Sequence, residues 1–135
     1  MADYVIVFDG GSRGNPGHGY GSYQITRARD GKSRLRRLDY PGDQTTNNEA
    51  EYLTLIHALE ELAAGIEKAG HTPRDFSVEV QGDSQLVIRQ VGGEWKVSEP
   101  RLRPLRERAQ ALLRQFKQAK LTWHRRAKSV DILGH

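Results

Sequence analysis

The chain has 135 residues, of which 28% are charged, with a net charge of +4 and no cysteine. That length suits one domain, here expected to span 1–135, with a core large enough to need no covalent staple. The missing thiols exclude disulfides, thiolate metal sites and cysteine nucleophiles, so any metal must sit on oxygen or imidazole.

Residues 4–8 (YVIVF) are β-branched and aromatic and predict a buried strand. The start of the chain lacks a basic, apolar leader, and no stretch approaches a membrane span, so a soluble cytoplasmic protein is expected. Residues 10–17 read as a glycine-rich loop. Residues 20–28 and 33–40 read as two further strands around a turn at Asp30-Gly31, the second ended by Pro41-Gly42. Thr45-Thr46-Asn47-Asn48 is capping chemistry, and 49–64 carry Leu, Ile and Ala at helical spacing. A fourth strand is predicted over 76–81, where Phe76, Val78 and Val80 alternate with polar residues. A short helix over 83–91 follows, then a loop carrying Trp95, and a helix over 99–117 with Pro100 in its first turn. Residues 121–124 suit a fifth strand and 129–133 a last helix. Hairpins followed by crossovers define a mixed α/β chain with a five-stranded mixed sheet flanked by helices.

Basic residues are unevenly placed. Residues 27–37 hold six and one acid, and residues 101–128 hold ten and one acid. A polyanionic partner is one reading, and solvation of helix and strand surfaces is the other.

Two strands end on carboxylates, in Phe8-Asp9-Gly10-Gly11 and Gln81-Gly82-Asp83-Ser84. Sites in open α/β sheets form beyond the carboxyl ends of strands. If the first and fourth strands are neighbours, Asp9 and Asp83 meet there, and a divalent cation relieves their repulsion. At ~100° per residue, Glu51 shares a helical stripe with Leu55, Ala58 and Leu62. Glu49 lies nearer Leu53 and Ile56, at the rim. Both flank the apolar face, and each also suits a first-turn acid facing the helix dipole. Asp131 is the only acid after Glu107, and a helix-start acid is its simpler reading. Gly10 and Gly11 suggest a ligand approaching the strand end without a Cβ in the way. Asn15 offers an amide beside them.

FDGGSRGNPG, TTNNEAEY, GDSQLV and SVDILGH, in this order and over essentially the whole chain, resemble type 1 ribonuclease H. The short segment between the two later helices, GGEWKVSEPRLRPL, lacks a basic protrusion and is similar to the archaeal-like subgroup. The resemblance implies the ribonuclease H-like fold and a monomer acting as an endonuclease. It would hydrolyse the RNA strand of RNA–DNA hybrids, leave 5′-phosphates and use two Mg²⁺ or Mn²⁺ ions. It maps the catalytic and metal-binding acids onto Asp9, Glu51, Asp83 and Asp131, with Asp9 bridging both ions. It implies nucleic-acid contacts at Gly10, Gly11, Asn15, Asn48 and Gln85. The family often carries a loop histidine before the last acid. Here His124 reads as a strand end, and Arg125 and Arg126 are the candidates to replace it in product release. A non-catalytic hybrid-binding module and an enzyme acting on duplex RNA are the rival readings. Trp95 and Trp123 read as packing residues, with stacking near the DNA strand as the alternative for Trp95, which lies beside Lys96. His18, His57 and His71 have no ligand-like spacing, and His135 reads as a terminal bystander.

Overall fold

The structure is a computed structural model that describes residues 1–134, so His135 lies outside the described residues. Five strands form one sheet in the order β3-β2-β1-β4-β5. They are β1 (Tyr4–Arg13), β2 (Gly17–Arg27), β3 (Ser33–Thr45), β4 (Ser77–Gly82) and β5 (Gln118–Trp123). The first three are antiparallel, while β4 and β5 run parallel to β1. The helices are α1 (Asn47–Lys68), α2 (Gln85–Val91), α3 (Arg103–Leu113) and α4 (Arg126–Leu133). None is long and apolar enough to cross a membrane.

Central strand β1 is buried on both faces, which is why Ile6, Val7 and Phe8 run consecutively without alternation. α1 lies across β1 and β2 and fills the core with Tyr52, Leu55, Ala58 and Leu59, all fully buried, against Ile6, Phe8 and Val80. Each such aliphatic side chain contributes about 1.5–3 kcal/mol by leaving water. α3 packs along α1, and α4 packs against β1 and β2.

Several boundaries differ from expectation. The glycine-rich stretch is not a loop: β1 continues to Arg13, which pairs with His18, because pairing satisfies the backbone that bare glycines expose. Pro41-Gly42 do not end β3. This edge strand runs on until Thr45 pairs with Gly17, across a register shift between Gly17 and Gly19. An edge strand tolerates proline, whose missing N–H faces solvent. α3 starts at Arg103, so Pro104, not Pro100, occupies its first turn. α4 begins three residues before the expected start.

Candidate active site

β1 and β4 are hydrogen-bonded neighbours, with Phe8 paired to Gly82, so the residue after each meets at the sheet's edge. Asp9 and Asp83 come together there. Glu51 reaches them from the first turn of α1, and one carboxylate oxygen from each of the three lies within 4.8 Å of the others. Asp9 and Glu51 are buried, and Asp83 is half-buried. Burial pushes the Glu51 carboxyl well above its usual range. Asp9 and Asp83 push it further, while the Gly10 N–H, donating to it, opposes them. Two ionised carboxylates at such a separation repel by about 3–4 kcal/mol at an effective dielectric near 20.

Among the described residues, Glu51 Oε2 and Asp83 Oδ2 are buried without a hydrogen-bond partner. A folded protein leaves buried acceptors idle only at a cost. Like charges gathered around idle oxygens form the donor set of a hard divalent cation, so these residues fit Mg²⁺ or Mn²⁺. Asp131 is exposed on α4 and stands outside this group, although its helix packs against the strand that carries Asp9. A cavity of about 740 Å³ lies at the far end of α1, between Tyr4, Ile66 and Arg29. It contains none of the three acids, so the chemistry sits elsewhere.

The glycines act differently from the expectation. A Cβ on Gly10 would lie 2.7 Å from the Ala50 backbone, and one on Gly11 would lie 2.6 Å from the Tyr20 hydroxyl. The space a Gly10 Cβ would fill is taken by the α1 backbone, and that close approach brings Glu51 to the strand. The start of α1 is then locked. Thr46 and Glu49 form a capping box. Asn15 Oδ1 accepts from the Asn47 N–H at 2.9 Å, and Asn47 Oδ1 accepts from the Ser12 N–H at 2.7 Å. Asn15 therefore spends its carbonyl on the helix, which leaves its NH₂ as the group available to a ligand. Asn48 is exposed beside it, and Gln85 is exposed at the start of α2.

Glu49 is a structural residue: its carboxylate serves the cap and pairs with Arg101 at 2.9 Å. Asn47, Arg101 and Trp123 were missed as contributors to the site. Asn47 carried a signal, lying inside the capping run, whereas Arg101 finds its partner only through the fold. Trp123 Nε1 donates to the Asp83 carbonyl at 3.1 Å. His124 is buried and continues the ladder, its N–H donating to the Gly82 carbonyl at 3.0 Å. Its Nε2 lies 2.7 Å from Ser129 Oγ on α4, while its Nδ1 has no partner among the described residues. Burial lowers its pKa, Lys128 lowers it further, and Asp83 acts in the opposite sense. Arg125 and Arg126, at the start of α4, are exposed. Trp95 is 43% exposed, with the Arg89 guanidinium 5.7 Å from its ring.

This sheet order, with helix α1 laid across β1 and β2, defines a ribonuclease H-type fold. The family model described as "Reverse transcriptase-like" matches residues 8–130. The chain is 40% identical over 127 residues to "Bifunctional protein Rv2228c" of Mycobacterium tuberculosis, covering 93% of this chain and 32% of that protein. It is 41% identical over 112 residues to "Ribonuclease HI" of Halobacterium salinarum, covering 81% of this chain and 50% of that one. The chain thus spans a third to a half of the length of these curated relatives. Among solved structures, RNase H1 of Halobacterium salinarum superposes with a TM-score of 0.80 at 36% identity, covering 96% of this chain and 92% of that one. LC11-RNase H1 in complex with an RNA/DNA hybrid gives 0.81 at 33% identity, with coverage of 96% and 92%. The chain belongs to the type 1 ribonuclease H family, in its archaeal-like form.

Proposed function

We propose that this chain is an endonuclease that hydrolyses the RNA strand of RNA–DNA hybrids and leaves 5′-phosphate ends. The observation that carries this reading is the group Asp9, Glu51 and Asp83, two buried and one half-buried, in which Glu51 Oε2 and Asp83 Oδ2 have no hydrogen-bond partner among the described residues. Asp9, Glu51 and Asp83 would hold two Mg²⁺ or Mn²⁺ ions, with Asp131 completing the set from α4. Bound there, the cations would polarise the scissile phosphate and lower the pKa of the attacking water. Gly10 supports this by donating its N–H to Glu51, which holds that carboxylate toward the strand. The Asn15 NH₂, the exposed Asn48 and the Gly11 backbone would meet the RNA strand, whose 2′-hydroxyls distinguish it from DNA, with Gly11 itself buried against Tyr20. Gln85 extends that surface from α2. Arg125 and Arg126 bind phosphates without reading sequence and assist product departure.

The experiment offers purified protein with Mg²⁺ or Mn²⁺ to an RNA–DNA hybrid, duplex RNA and duplex DNA of one sequence, each strand labelled separately. Cleavage confined to the RNA strand of the hybrid supports the reading. Binding without cleavage would establish a recognition module instead, and equal cleavage of duplex RNA would overturn the hybrid preference.

A further inference from the structure

Asp83 projects from the end of β4, and among the described residues its side-chain oxygen Oδ2 has no hydrogen-bond partner to orient it. Its placement therefore depends on its main chain. Two contacts from the end of β5 hold that main chain. The His124 N–H donates to the Gly82 carbonyl, and the Trp123 indole N–H donates to the Asp83 carbonyl. Only the second comes from a side chain. Trp123 is 44% exposed, so it is not there chiefly to fill the core. A large aromatic left half in water beside a polar site is set apart from the core by its N–H, a donor already engaged.

We propose that Trp123 is a positioning residue for Asp83. Its indole N–H fixes the backbone from which this metal-binding carboxylate projects. The reading rests on the proposed metal site. The next residue extends the same device: the His124 ring meets Ser129, two residues before Asp131 on α4. The end of β5 thus ties the Asp83 backbone to the helix that carries the fourth acid. Outer-shell partners of metal ligands usually affect affinity by about 10–100-fold.

The test compares wild type with Trp123→Phe and with a form carrying benzothienylalanine at 123, which keeps the bicyclic shape and replaces the N–H with sulfur. Mn²⁺ binding is measured by calorimetry, and kcat and KM are measured on a hybrid. Both forms are expected to bind Mn²⁺ about tenfold more weakly. Both should lose kcat similarly while KM for the hybrid stays within about twofold. Unchanged Mn²⁺ binding in the benzothienylalanine form would overturn the proposal. So would a raised KM with unchanged Mn²⁺ binding, because the ring would then be stacking on substrate. A wild type that takes up no Mn²⁺ would overturn the metal site itself and this inference with it, an outcome distinct from the other two.

Discussion

Glu51 is an acid in a place that disfavours its charge. Burial, then Asp9 and Asp83, hold its pKa well above the ordinary 4.5. A folded-state pKa above the unfolded one means that the native protein binds more protons. The associated stability is full below about 4.5 and is lost as pH rises through the folded value. Metal-free Glu51→Gln is therefore expected to be more stable than wild type at neutral pH by about 1 kcal/mol, a few degrees in Tm. That gain should shrink as the pH falls toward the usual carboxylate range. Calorimetric melts of both proteins across pH check this, and a variant less stable than wild type at neutral pH would contradict it. Helical periodicity made this residue legible, since it set Glu51 on the stripe of Leu55 and Ala58 and left Glu49 at the rim. Periodicity cannot reveal that Arg101 pairs with Glu49, because the two lie in segments far apart in sequence.

At the scale of elements, the site depends on how closely α1 approaches β1. Gly10 sets that distance: a Cβ there would lie 2.7 Å from Ala50 C and O and 2.8 Å from Glu51 N, all backbone atoms that cannot swing aside. Gly10→Ala is expected to cost about 1–3 kcal/mol, as overpacking does. It should also cut activity further than its stability loss alone explains, since Glu51 moves with the helix. Urea titration beside an activity assay measures both, and a fully active, fully stable variant would contradict the packing account. The sequence marked this glycine as a place of close approach and suggested a ligand, whereas on its Cβ side the neighbour is α1. Bare backbone invites a close approach, yet only the fold determines whether a ligand or a helix makes it. The long β1–β2 pairing through Arg13 was illegible for a related reason: glycines carry no strand propensity, and the pairing partner decided.

At the scale of the molecule, the sheet order is the decisive arrangement, because it places β1 beside β4. The strand-end pattern made Asp9 and Asp83 candidates before that adjacency was known. The position of Asp131 relative to them was less legible, since a short helix at the end of the chain carries little periodicity. The basic residues divide into two groups. In the first run, Arg27 pairs with Asp30, Arg34 and Arg36 with Glu61, and Arg37 donates to the Leu133 carbonyl. Much of that charge is therefore spent within the fold. Among the described residues, no ion pair engages Arg125 or Arg126, the two exposed arginines proposed to meet phosphates. Arg125→Ala and Arg126→Ala should each weaken hybrid binding regardless of sequence and lower the salt slope by about 1. Titrations at several salt concentrations test this, and an unchanged slope would place the phosphates elsewhere. The most direct test of the whole account is strand-resolved cleavage of a labelled hybrid by wild type and Asp9→Asn, with Mn²⁺ and with a chelator. Wild type is expected to cut RNA only with metal, and the variant to lose on the order of 10³-fold in rate while still binding the hybrid. Near-normal cutting by Asp9→Asn, or cutting that survives the chelator, would contradict this.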